Sequence, residues 1–202
     1  MHRKILIFIF VIITLQNADA ENNWAFKTGF NVAQIRNAKS TPQLGASIGI
    51  ERKFHIISFF SITPEIFFSH QTCYTYNSIS VDNRELYDKT LIHVKNMDLS
   101  IILDFLLYTG KINLSLRAFP SYNVSEYGYT EYYISGAGDK EISANNHGLS
   151  LNLAIAALYK RFSFEIRYMN NREIIDKNDQ YYEYVHFDYN IHSLHFLFGF
   201  HF

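Results

Sequence analysis

The chain has 202 residues but only one cysteine and three prolines, and 18% of its residues are charged. Each shortage excludes something. A lone cysteine, Cys73, cannot staple a small secreted fold, so it reads as a free thiol without a role. No stretch after residue 20 supplies the roughly 20 apolar residues of a membrane-spanning helix, so a membrane-embedded form has to be a barrel. The charge is sparse and forms no basic stripe, unlike a nucleic-acid binder. A hydrophobic content of 48% is too high for a disordered chain. No glycine-rich phosphate loop and no cysteine pair occurs. His192 and His195 fall on opposite faces of a strand and cannot converge on one ion, so the histidines carry no metal signature. No cofactor is implied.

Aromatic residues, at 17%, are what the chain has in excess. The last thirteen residues show how they are used. Leu194, Phe196, Phe198, Phe200 and Phe202 alternate with Ser193, His195, Gly199 and His201, and Leu197 is the only large apolar residue on the polar side. Successive side chains of a strand point to opposite faces, so this is a strand with one apolar and one polar side. An alternating strand that ends on Phe resembles the C-terminal signature of bacterial outer-membrane barrels.

The start of the chain reads as an export signal. His2, Arg3 and Lys4 form a basic region, Ile5 to Leu15 is an apolar run too short to span a bilayer, and Ala18-Asp19-Ala20 is a small-x-small cleavage site. Two regions are therefore expected: a signal peptide over 1–20 and a barrel domain over 21–202.

The terminal pattern repeats along the chain. Strands are expected at about 24–32, 43–51, 59–71, 96–107, 112–124, 148–159, 162–170 and 190–202. Pro64 and Pro120 fall inside two of them, where a missing donor predicts a bulge. Long polar loops are expected at 73–93, 125–147 and 171–189, with short turns at 52–58, 108–111 and 160–161. Eight strands with short turns at one end and long loops at the other make an all-β, eight-stranded antiparallel up-and-down transmembrane β-barrel.

The two faces sort by charge. The apolar faces of the expected strands carry no Lys, Arg, Asp or Glu. Lipid explains this, because a charge at mid-bilayer costs about 2–4 kcal/mol. The polar faces, rich in Ser, Asn and Gly, carry Lys27, Glu51, Glu65, Asp98, Asp104, Arg117, Glu165 and Arg167. An eight-stranded barrel has an interior just filled by side chains, so these charges have to pair indoors. The expected interior network has Arg117 and Arg167 at its centre, holding Glu65, Asp98, Asp104 and Glu165. The alternative readings of these charges are an ion pathway or catalytic carboxylates. Ser193 and His195 share the inward face, but spacing gives them no acid partner, and a triad is recognised by geometry.

Four motifs carry a family resemblance: Ile62-Thr63-Pro64-Glu65-Ile66-Phe67-Phe68-Ser69, the acidic Asp98 in the fourth strand, Pro120 in the fifth, and Arg167-Tyr168 followed by Asn170-Asn171. They resemble the PorT-like outer-membrane β-barrel family of Bacteroidetes-type bacteria, across essentially all of the chain after residue 20. Ser100 stands where that family commonly has Pro, and Phe119 where it has Gly. The resemblance implies an outer-membrane location in a Gram-negative bacterium. One branch of that family is implicated in protein secretion and in the maturation of exported proteins, while most members lack a defined activity.

The functional expectation is a non-enzymatic barrel with a plugged polar interior that acts through its long loops, with a small-solute pore or an outer-membrane-embedded enzyme as the alternative. The termini face the periplasm and the loops the exterior. Expected partners are outer-membrane lipid, the barrel-assembly machinery during biogenesis, and a secretion-system or surface partner; no nucleic acid is expected, and the barrel is a monomer. Tyr127, Tyr129, Tyr132, Tyr133, Tyr181 and Tyr182 are the candidate recognition residues, since Tyr buries area at little entropic cost.

Overall fold

A computed structural model describes residues 24–36, 39–81, 84–132, 140–142, 149–175 and 188–202. The expected signal peptide, 1–20, lies outside them, as do Tyr133, Tyr181 and Tyr182. The described strands are β1 (Trp24–Ile35), β2 (Ser40–Arg52), β3 (Phe54–Ile57), β4 (Phe60–Val81), β5 (Arg84–Tyr108), β6 (Asn113–Tyr132), β7 (Lys140–Ile142), β8 (Leu149–Tyr159), β9 (Phe162–Ile175) and β10 (Asp188–His201).

The strands pair in the order β2-β1-β10-β9-β8-β6-β5-β4, with β3 and β7 as short additions on β4 and β6. A further β2–β4 ladder joins the two ends and closes an eight-stranded antiparallel barrel. Closure leaves no free edge along the barrel wall. At the chain's end, the Phe202 amide donates to the Trp24 carbonyl and the His201 amide to that of Arg161, so the terminal strand is zipped on both flanks.

The alternation read from the sequence sorts the faces. On β1, Lys27, Asn31, Ala33 and Ile35 are buried, while Phe26 and Phe30 are exposed. On β8, Ser150, Asn152, Ala154 and Ala156 are buried, and Leu149, Leu151, Leu153 and Ile155 are exposed. The polar faces point into the barrel, and large apolar side chains cover the outside. Two charges stand on the outward face beyond the ends expected from sequence. Arg52 packs against Trp24 and Phe54 at the turn end, 5.4 Å and 4.9 Å from their ring centroids. Lys95 lies towards the loop end of β5 and is exposed. Both sit at the rims of the apolar belt.

Two expectations need correction. No register shift occurs at Pro64 or Pro120. The β4–β5 register runs unbroken through Pro64↔Ile101, and the β6–β8 register through Pro120↔Leu151. On the opposite flank of each proline the ladder lapses instead: between Glu51↔Glu65 and Phe54↔Ile62, and between Ser100↔Ser121 and Leu103↔Ala118. A ring without an N–H fits a gap as well as a bulge. The shift between β2 and β4 lies at Pro42/Ala46, beside Gly45, where a Cβ would collide with the His70 carbonyl.

The second correction concerns 73–93 and 125–147, which are not simply loops. β4 and β5 continue as a paired hairpin from Tyr76↔Lys89 to Val81↔Arg84. β6 pairs with β5 as far as Thr90↔Tyr132 and carries β7 at Gly128–Thr130. At 22, 25 and 20 residues these three strands outrun the 11–14 residues of the other strands of the barrel wall. Together they form a β-ribbon at the loop end.

Candidate functional site: the closed lumen

The inward side chains fill the lumen in three zones. Nearest the turns is an ionic cluster. Arg167 binds Glu65 through both carboxylate oxygens, at 2.8 and 2.9 Å, and Glu165 Oε1 through Nε at 2.7 Å. Arg117 reaches Glu165 Oε2 at 2.8 Å, Asp104 Oδ2 at 3.0 Å and Glu51 Oε2 at 3.2 Å. Lys27 Nζ lies 2.6 Å from Glu51 Oε2 and 2.7 Å from Glu165 Oε2. Lys53 closes on Asp104 Oδ2 at 3.0 Å.

Lys27, Lys53, Arg117 and Arg167 thus face Glu51, Glu65, Asp104 and Glu165 as a charge-balanced set spanning the lumen. Two phenylalanines on the inward face clamp one of its members: the Arg167 guanidinium lies 4.5 Å from the Phe67 ring centroid and 4.7 Å from that of Phe119. Arg stacks on rings while keeping its fork for carboxylates.

The second zone is neutral. Gln71 donates to Ser193 Oγ at 3.0 Å, and Ser193 Oγ lies 2.7 Å from His195 Nε2. His195 Nδ1 lies 2.9 Å from Ser47 Oγ, which accepts from Asn31 at 2.9 Å. On the opposite wall Asn152 donates to Ser121 and Ser150 at 2.9 and 3.1 Å, and Ser121 meets Ser100 at 2.7 Å. The third zone, at the loop end, is apolar: Ala33, Ile35, Cys73, Ile92, Val94 and Ile191 pack into one buried cluster. Leu197 packs below it with Phe67 and Met169.

Of the six residues expected in the ionic network, Glu65, Asp104, Arg117, Glu165 and Arg167 come together. Asp98 is in none of the ion pairs given above. It is buried nearer the loop end, where Asn123 Nδ2 donates to its Oδ1 at 3.4 Å. Lys27 and Glu51, inward-facing by their alternation, join the cluster although the expected network does not include them, and so does Lys53, which is expected in a turn. The missing signal is height: Lys27 and Glu51 are one rung apart on neighbouring strands, with Ala25↔Glu51 and Lys27↔Gly49 in register, and strand pairing is not written in spacing alone.

Ser193 and His195 do meet, with Gln71 donating to Ser193 and Ser47 beside His195, and both are essentially inaccessible at 2% and 0% exposure. Among the described residues, no group of three His, Cys, Asp or Glu side chains is placed to hold a metal ion. The tyrosines fare differently. Tyr127, Tyr129 and Tyr132 lie on β6, with their backbones paired to Lys95, His93 and Thr90, not in a free loop.

No protein-family model matches the sequence, and no curated protein matches it. Among solved structures, the chain is similar to Ail, the attachment invasion locus protein of Yersinia pestis, solved in complex with the heparin analogue sucrose octasulfate. That likeness has 8% identity and a TM-score of 0.49, and covers 91% of this chain and 100% of that one. The chain is also similar to Neisserial surface protein A, at 12% identity and a TM-score of 0.42, over 89% of this chain and 97% of the other. The architecture described above rests on this chain's own strand pairing.

Proposed function

We propose that the chain is a non-enzymatic integral protein of a Gram-negative outer membrane, with its termini in the periplasm and its β-ribbon outside, acting as a structural, surface-binding or secretion-accessory barrel. The observation that supports this most directly is the inversion of the two faces. The outside carries Phe26, Phe30, Phe68, Phe105, Leu151, Ile155, Phe164, Phe198 and many similar residues, while Lys27, Glu51, Glu65, Asp104, Arg117, Glu165 and Arg167 are shut within. A soluble barrel of this size has the opposite arrangement. Along β10 the apolar face from Leu194 to Phe202 covers roughly 26 Å of strand. Tilted by about 40°, it covers roughly 20 Å of height, most of the about 25 Å band of such barrels. Trp24, Tyr108 and Tyr159 near the turn end, and Tyr74, Tyr122 and Tyr168 towards the loop end, fit the aromatic girdles.

The short motifs that resemble the PorT-like family agree with this reading. The charge-balanced lumen favours a plug over a small-solute pore, and the buried Ser193–His195 pair gives no support to an embedded hydrolase. The binding partners are outer-membrane lipid, the assembly machinery that reads the terminal strand, and a surface or secretion partner met at the loop end. Fractionation tests the placement. The protein is expected in the outer membrane after cleavage behind Ala20, and unboiled samples should migrate faster on a gel than boiled ones. Recovery from the soluble periplasm would refute the membrane reading.

A further inference from the structure

Beyond the barrel wall, β4 pairs on one flank only among the described residues. Ser40↔Thr75 is its last pair with β2, and from Tyr76 to Val81 its described partners all lie on β5. Six residues at about 3.3 Å each leave about 20 Å of strand edge with its outward N–H and C=O groups unmatched among the described residues. Natural proteins guard such edges with Lys, Pro, bulges or short length. This one has none of these. Tyr74-Thr75-Tyr76-Asn77-Ser78-Ile79-Ser80-Val81 contains no charge, no proline and no glycine, and the β4–β5 register runs through it without a shift. The strand behind it, Arg84-Glu85-Leu86-Tyr87-Asp88-Lys89, carries the charges instead. The far side of the ribbon is partly covered, since β7 pairs with β6 at Gly128–Thr130.

The geometry points to the Tyr76–Val81 edge of β4 as a β-addition site, which takes up an extended, low-charge polypeptide segment of another protein as an extra strand. Backbone pairing of this kind supplies affinity with little sequence demand. The inference deepens the surface-binding reading and rests on it, because the edge has to project from the membrane to be reached.

A second copy in the same membrane is the weaker occupant. Its β4 would run in the same direction, so the pairing would be parallel. At equal heights a symmetric pair would also set residues with outward-directed amides opposite each other, whereas a parallel ladder needs them staggered. A free extended segment is not held to one direction or height.

The test uses the full barrel in liposomes and a fluorescent peptide of alternating threonine and valine, about eight residues long, as the probe. A second peptide is N-methylated at every other residue, which removes the donors of one edge. The unmodified peptide should bind, and the methylated one should bind at least about tenfold more weakly. Successive residues of a strand aim their N–H groups at opposite flanks, so of Ser78→Pro and Ile79→Pro one removes a donor from the free edge and the other from the β5 ladder. At least one of the two should abolish peptide binding while heat-modifiability on gels shows the barrel intact.

Equal binding of both peptides, no binding of either, or full binding by both proline variants would overturn the proposal. So would clustering of barrel-bearing liposomes without peptide, which would assign the edge to a copy in an opposing membrane. Failure of the wild-type protein to insert would fault the membrane reading instead; peptide binding to the barrel in detergent would then still decide the edge.

Discussion

Arg117 shows how much one residue holds in this lumen. Its Nη1 meets Glu165 and Glu51, and its Nη2 meets Asp104. Arg117→Met would leave those carboxylates buried with fewer cations, at a cost of about 3–5 kcal/mol, the usual result of breaking a buried pair from one side. Urea unfolding in detergent would measure it. Adding Glu51→Gln to the same variant should recover part of the loss, because it removes one of the stranded charges. On the outer face, Phe198 lies midway along the apolar run of β10 and is 56% exposed. Phe198→Arg should destabilise the barrel in lipid by about 2–4 kcal/mol, and the same change at Phe202, at the rim, by about 0–1 kcal/mol. Equal costs at the two positions would mean that the belt does not lie where the exposure puts it.

At the scale of elements, the turn between β8 and β9 offers a test of local chemistry. Tyr159 pairs with Phe162, so Lys160 and Arg161 form a two-residue hairpin turn, and Lys160 sits at φ 55. That conformation costs a residue with a Cβ roughly 1–2 kcal/mol, and glycine escapes it. Lys160→Gly should therefore stabilise the barrel by up to about 1 kcal/mol, read as a higher melting temperature in detergent.

The sequence showed these strands clearly wherever they belong to the barrel wall with its apolar outer face. The period-two pattern of β2, β8 and the terminal strand is strong because every second residue belongs to an outward face that is apolar and free of charge. The same logic explains what it hid. Beyond the barrel wall, β4 and β5 carry polar or charged residues at positions of both parities, so Tyr76–Val81 and Arg84–Lys89 look like loop by composition. The ribbon predicts that the β5 amides directed towards β4 between Leu86 and Leu91 exchange slowly in hydrogen–deuterium exchange, while those directed towards β6 are protected only from Thr90 on, where β6 pairs. Exchange as fast as in an open loop would return these residues to the sequence-based picture.

For the whole molecule, the question is what the lumen lets through. Two unlike seals lie in series. The ionic cluster crosses the barrel near the turns, with Lys27, Arg117 and Arg167 tied to carboxylates from β2, β4 and β9. The apolar cluster of Ile35, Ile92, Val94, Ile191 and Cys73 closes the loop end. An ion passing the first seal would still have to shed its water at the second. The interior of an eight-stranded barrel leaves no width to spare around either. The wild-type protein should therefore show conductance near background in planar bilayers. Opening one seal should not change this: Arg117→Ala with Glu51→Ala thins the ionic cluster, removing one charge of each sign, and leaves the apolar plug in place. Ile92→Ser with Ile191→Ser wets the plug and leaves the ionic cluster in place. The four changes together should admit small ions, provided gels show that the barrel still migrates as a closed form. Conductance in the wild type, or in either double variant alone, would mean that the seals do not act in series. The lumen would then have to be counted as a pathway rather than as the scaffold that holds the ribbon at the surface.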